Sequence, residues 1–183
     1  MAETHLTMVR FILQYFIAFP NIKIELRLHL IIRFIFLPLI GVYELTALSW
    51  DIGFHNRISK INVKSGQVVD SISLVYIDEN DVTTAVSHGG PGGEDHELTL
   101  REDEHVIQIA VRSSNKVVQN LTFRTNLGRV LGPCGGKGGL LSMGFGGKER
   151  YVDCPGDGFG LIGIKGRKGK FLDAIGFHFG MMK

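Results

Sequence analysis

The chain has 183 residues, enough for one domain with a proper core, or one domain and an appendage. Its 20 basic and 18 acidic residues leave a formal charge of +2, which gives no reason to expect a polyanionic partner. Two cysteines, Cys134 and Cys154, are too few for a disulfide scaffold and stand either as free thiols or as one bridge.

Residues 1–44 differ from everything after them: rich in Ile, Leu and Phe, with scattered Arg and Lys and little alternation. The two longest uncharged runs, from Phe11 and from Phe34, each hold a proline and fall short of the roughly 18–20 apolar residues of a spanning helix. Arg10 followed by an apolar run imitates a signal peptide, but no small-x-small cleavage site follows. Three readings stand: a start that is not native, a poor signal or anchor, or an extension of the core. A membrane-associated protein anchored by this segment is the functional form of the second.

From Ile58 onward the pattern is that of strands. Ile61/Val63 and Ile72/Leu74/Tyr76 alternate with polar residues on either side of a tight turn, the period of half-buried strands. Asp78 to Asp81 reads as a turn, and Val82 to Val86 leads into the sharp loop Gly89-Gly-Pro-Gly-Gly93. The acidic residues Glu94, Asp95, Glu97, Glu102, Asp103 and Glu104, with His96 and His105, are spaced too irregularly for metal ligands and read as a solvated turn. His105 to Phe123 forms a second hairpin, and Asn120-Leu-Thr122 within it is a sequon of consequence only in a secreted chain. Gly132 to Gly139 imitates a phosphate-binding loop, but Lys137 is followed by Gly138 rather than Ser or Thr. Gly144 to Gly147 then precedes a polar excursion through Asp153 and Asp157, and a last hairpin runs from Ile164 to Phe177. Its Lys165, Arg167, Lys168 and Lys170 lack interleaved aromatics and read as a solvated turn rather than a nucleic-acid contact.

The first and last hairpins are copies. Gly66 and Gly169, like Asp70 and Asp173, stand 103 residues apart (169 − 66; 173 − 70), and Ile61, Val68, Val69, Ile72 and Leu74 fall on Ile164, Phe171, Leu172, Ile175 and Phe177. The middle hairpin keeps the apolar pattern in Val117, Val118, Leu121 and Phe123, with Asn115 and Gln119 in place of the glycine and the aspartate. Repetition at a fixed offset marks a repeated supersecondary unit. Chemically, Gly-x-x-x-Asp sets backbone N–H donors beside a carboxylate that only accepts, which suits a polyol. Catalysis finds no support: there is no Gly-x-Ser-x-Gly elbow, no recognisable Cys–His pair and no zinc spacing.

Gly163 to Gly176 resembles the closing hairpin of jacalin-related lectins, and Ser65 to Ile72, His88 to Gly93, Leu121 to Gly128 and Leu131-Gly-Pro133 resemble the same family in the same order. The resemblance runs from about Trp50 to Gly180, and it implies an all-β fold: a β-prism of three four-stranded Greek-key sheets with pseudo-threefold symmetry. The lectin domain is expected over residues 45–181, after the hydrophobic segment 1–44. The family implies non-catalytic binding of mannose/glucose-type or galactose-type sugars, without metal or cofactor; with no sign of proteolytic processing, mannose/glucose-type glycans are expected here.

One expected sugar site comprises Gly66, Gln67, Val68 and Asp70 with Gly92 and Gly93 of the paired loop. The other comprises Gly169, Lys170, Phe171 and Asp173. The family's usual Gly-rich loop before Trp50 is reduced here to Gly41, so the second site is expected to be the weaker. A homodimer through sheet edges and a cytoplasmic or nucleocytoplasmic location (secreted if residues 1–44 act as a signal) complete the expectations. The alternative class is a protein-interaction module of this fold that has lost sugar binding.

Overall fold

The computed structural model describes residues 35–36, 40–41, 48–78, 80–136 and 147–182. The segment 1–44 therefore lies outside them except for two short strands, as do most of the second Gly-rich segment (144–146) and the end of the phosphate-loop imitation (137–139).

Every described element is a strand: β1 (Ile35–Phe36), β2 (Ile40–Gly41), β3 (Leu48–Asp51), β4 (Arg57–Ser65), β5 (Val69–Ile77), β6 (Thr83–Gly89), β7 (Glu94–Thr99), β8 (Val106–Ser113), β9 (Val118–Thr125), β10 (Val130–Gly135), β11 (Lys148–Asp153), β12 (Phe159–Lys168) and β13 (Leu172–Met181). They form three antiparallel sheets. One runs β6-β5-β4-β7 and the next β10-β9-β8-β11, so in each a fourth strand returns beside the first: a Greek key. The third sheet has the hairpin β12–β13 at its centre, β3 on one side, and β1 and β2 in succession along the other. The first and last described strands thus share one sheet, and its fourth strand is an interrupted one.

The repeat seen in the sequence is also a repeat of register. β4 and β5 slip between Ile58 and Lys60 and between Lys64 and Ser65; β12 and β13 slip between Leu161 and Gly163 and between Arg167 and Lys168. These are the same positions 103 residues on (161 − 58; 167 − 64). β8 and β9 repeat both slips, between Val106 and Gln108 and between Arg112 and Ser113. Such bulges raise the local twist, and three matched pairs give three sheets of matched curvature. One difference stands out: Ser65 pairs with Val69 and Lys168 with Leu172, but Ser113 pairs with Val118. The middle turn therefore holds four residues, 114–117, where the others hold three.

The core is made of equivalent triplets, one residue from each sheet. Val69, Val118 and Leu172; Ile72, Leu121 and Ile175; Leu74, Phe123 and Phe177 are each at most 1% exposed. Burying a side chain of this size is worth about 1.5–3 kcal/mol, so the inward face of each hairpin is what holds the prism together.

Three stretches differ from the sequence reading. Glu94, Asp95 and Glu97 lie in strand β7 rather than a turn, and cross-strand partners explain why: Lys64 sits 3.7 Å from Asp95 and Lys60 2.7 Å from Glu97. Residues 148–153 are an edge strand, β11, rather than an excursion, because pairing to β8 supplies the order their composition does not. Glu104 is buried rather than solvated. Its carboxylate accepts from Thr125 Oγ1 at 2.7 Å, Arg129 Nη1 at 2.7 Å and the Arg101 N–H at 3.1 Å. Burial alone would raise its pKa; these bonds outweigh burial and hold it below the ordinary value. Cys134 and Cys154 are free thiols, and burial pushes the Cys134 thiol up to about 11.

Candidate functional site

The turn of each hairpin closes one corner of the prism. In the first, Gly66 N–H donates to Val68 O at 3.0 Å; in the last, Gly169 N–H donates to Phe171 O at 3.2 Å. That bond turns the next two amides outward. Among the described residues no acceptor takes the N–H of Gln67 or Val68, nor that of Lys170 or Phe171. Beside each pair lies a carboxylate, Asp70 at 8% and Asp173 at 7% exposure.

Asp70 is walled by the end of β6, where Gly89 has φ +125°, and the loop after it, where Gly93 has φ +84°. The Gly90 N–H donates to Asp70 O at 2.9 Å and pins this loop to β5. A Cβ on Gly92 would lie 2.6 Å from Asp70 Oδ1, and one on Gly93 2.7 Å from Oδ2. Only glycine lets the backbone approach both oxygens so closely. Burial raises the Asp70 carboxyl above its ordinary value, and the Gly66 amide and the Lys170 ammonium pull it part of the way back. Gly66, Gln67, Val68, Asp70, Gly92 and Gly93 are thus brought together in one corner.

Gly169, Lys170, Phe171 and Asp173 are brought together in another. A Cβ on Gly169 would lie 3.0 Å from Asp173 Oδ2, and Lys170 Nζ lies 5.5 Å from the centre of the Phe171 ring, which is half-buried. Here the wall differs. Gly41 pairs with Ala174 as Gly89 pairs with Ser71, and Ala174 is the equivalent of Ser71 (174 − 71 = 103). Gly41 is therefore the register equivalent of Gly89. Between it and β3, however, stand the six residues 42–47, none of them glycine, where the first corner has four residues, 90–93, three of them glycine.

The middle corner has the same frame and different chemistry. Gly135 pairs with Asn120 in the place of Gly89, with φ +105°. Gly147 abuts the side-chain amide of Gln119 as Gly93 abuts Asp70. Gln119 is fully buried, however, and Ser114 Oγ accepts from the N–H groups of Lys116 at 3.1 Å and Val117 at 3.2 Å. Those are the amides equivalent to the outward pairs of the other corners. The fourth turn residue is what allows the serine to cap its own turn. The sequence reading saw the loss of Gly and Asp here, and missed Ser114; a serine opening a turn was the available signal.

Residues 46–178 match the model of the jacalin-like lectin domain. The chain belongs to that family. The jacalin-like lectins are non-catalytic, and with three antiparallel sheets, two of them four-stranded Greek keys, this chain has their β-prism. Jacalin-related lectin 19 of Arabidopsis thaliana is 28% identical over 141 residues, 71% of this chain and 72% of that protein. Horcolin of Hordeum vulgare is 28% identical over 128 residues, covering 67% and 81%. Other relatives are longer: Jacalin-related lectin 3 of Arabidopsis thaliana, also 28% identical, is matched over 21% of its length. Among solved structures, a mannose binding jacalin-related lectin from Ananas comosus superposes with a TM-score of 0.67 at 25% identity, covering 81% of this chain and 98% of that one. Artocarpin, solved in complex with mannotriose, gives 0.67 at 25% identity, covering 81% and 99%.

Proposed function

We propose that this chain binds mannose/glucose-type glycans non-catalytically, chiefly at the Asp70 corner and more weakly at the Asp173 corner. The observation that carries the proposal is the difference among three otherwise equivalent turns. Two present a carboxylate beside two outward N–H groups, and the third has an amide and a serine cap. A sugar hydroxyl donates to the carboxylate while its neighbour accepts from the amides, so the pair reads adjacent hydroxyls of one ring. Relatives of this fold whose names record mannose or mannotriose support the sugar class.

The ranking of the corners follows from their walls. Gly92 and Gly93 bring a loop onto both oxygens of Asp70, whereas residues 42–47 hold no glycine that would allow the same approach to Asp173. Because the hydroxyls of a free sugar are already hydrated, each hydrogen bond gains little, and monosaccharide affinity near millimolar, about 4 kcal/mol, is expected. Two corners engaged by one branched glycan raise avidity about 10²–10⁴-fold without new contacts.

Calorimetric titration with methyl α-mannoside tests this. Asp70→Ala should remove most of the binding and Asp173→Ala a minor part. Unchanged binding in Asp70→Ala, with loss in Asp173→Ala, would reverse the ranking. Binding of no glycan on an array by the wild-type protein would favour the interaction-module reading instead.

A further inference from the structure

Where two sheets meet, a side chain from the edge of each must fill the joint. At the joint of β3 with β6, Trp50 and His88 do so: their rings stack with centroids 4.0 Å apart and planes 7° from parallel. The joint of β7 with β10 is its equivalent. Trp50 pairs with Gly166 and His96 with Val63, and Gly166 is Val63 plus the repeat offset (166 − 63 = 103). His88 pairs with Ile72 and Cys134 with Leu121, again equivalent core positions. At this joint a histidine therefore replaces a tryptophan and a cysteine replaces a histidine. Beside this smaller pair lies an open cavity of about 360 Å³, lined by His96 but not by the buried Cys134, within the roughly 300–1,000 Å³ of small-ligand sites.

The cavity is polar on one side and apolar on the other. Ser65, 3% exposed, lines it with a hydroxyl that has no hydrogen-bond partner among the described residues; such a group is costly to leave unsatisfied. Glu94 and His96 line it from β7, while their alternates Asp95 and Glu97 lie on the other face with Lys64 and Lys60. Pro133 supplies an apolar surface. The carboxylate of Glu94 disfavours an anionic occupant, and the hydroxyl, imidazole and carboxylate together suit a neutral polyol. Gly66 and Gly93 also line this cavity, and Gly93 is the residue pressed against Asp70. The cavity and the Asp70 corner thus share a wall.

We propose that this joint cavity is a second sugar subsite, holding the next pyranose of an oligosaccharide whose first unit sits on Asp70. It rests on the reading of Asp70 as the primary site. In an Asp173→Ala background, titration with methyl α-mannoside and with α1–2, α1–3 and α1–6 dimannosides isolates it. One added pair of hydrogen bonds should make at least one dimannoside roughly five- to tenfold tighter than the monosaccharide. His96→Trp, which fills the cavity as Trp50 fills its equivalent, should bring that preference within about twofold and leave methyl mannoside unchanged. Ser65→Ala should reduce it about threefold. A preference that survives His96→Trp, or no preference for any linkage in the parent, overturns the subsite while leaving the primary site standing. Absence of methyl mannoside binding overturns both. Should His96→Trp also lose methyl mannoside, full preference in Ser65→Ala overturns the proposal.

Discussion

Gly92 lies against Asp70 so closely that a methyl group on it would be 2.6 Å from Oδ1. Its φ is not in the left-handed region, so Gly92→Ala tests contact without backbone strain. The loop must shift or the carboxylate must rotate, and either disturbs the corner. Methyl mannoside affinity is expected to fall about tenfold or more, some 1.4 kcal/mol, with the melting temperature little changed. Gly93→Ala, at φ +84° and with its Cβ 2.5 Å from the Ser65 backbone N, should lose binding and also more than about 1–2 kcal/mol of stability, readable by denaturant titration.

The serine cap of the middle turn predicts which amides respond to sugar. In a nitrogen–proton correlation spectrum, the Gln67 and Val68 signals should move most on adding methyl mannoside and those of Lys170 and Phe171 less. Signals of Lys116 and Val117, already donating to Ser114 Oγ, should stay in place. Ser114→Gly frees those amides but leaves Gln119 buried, so it is not expected to create a third site.

The raised carboxyl of Asp70 links binding and stability to pH in opposite senses. Binding uses the ionised form, so affinity should decline on acidification from above the ordinary Asp value of about 3.9. Stability runs the other way. A folded pKa above the unfolded one means the charged form weakens the fold above the folded pKa and not below about 3.9. Asp70→Asn should therefore be at least as stable as the parent at pH 7, with the difference gone at pH 3.5, by thermal unfolding.

Acid should nonetheless weaken the protein as a whole. Burial lowers the pKa of His178, His55, His88 and His105. A depressed histidine stabilises the fold fully above its unfolded value, about 6.5, and that contribution is lost as pH falls from there. His178 is the most enclosed, with Nε2 2.8 Å from Asp51 Oδ1 and its ring 4.7 Å from that of Phe54. The melting temperature should drop between pH 7.5 and 5.5, and His178→Phe should flatten that drop.

Glu104 ties the turn before β8 to the end of β9. Removing one partner of a buried pair typically costs about 3–5 kcal/mol. Arg129 is 39% exposed and rehydrates, so Glu104→Ala should cost less, about 2–3 kcal/mol, in denaturant unfolding. Sugar affinity should be unaffected, because Glu104 is remote in the fold from both candidate corners.

Local pattern carried the fold a long way. Alternation gave the hairpins, and the offset between Asp70 and Asp173 gave their equivalence, because side-chain direction in a strand has period two and a repeated unit repeats its core residues. The chemistry of the two outward turns was legible for the same reason: donor and acceptor are neighbours in the chain. What the sequence could not contain is whatever depends on residues meeting across sheets. Glu104 reads as one more acidic residue until Thr125 and Arg129 converge on it. β11 is polar and becomes a strand only by pairing with β8. His96 and Pro133 border a cavity only because the prism sets their strands edge to edge, in the place where Trp50 and His88 fill the equivalent joint. Hydrogen-bonding capacity is a property of residues, whereas space is a property of the assembled sheets, and so the corners were readable in advance and the joint between them was not.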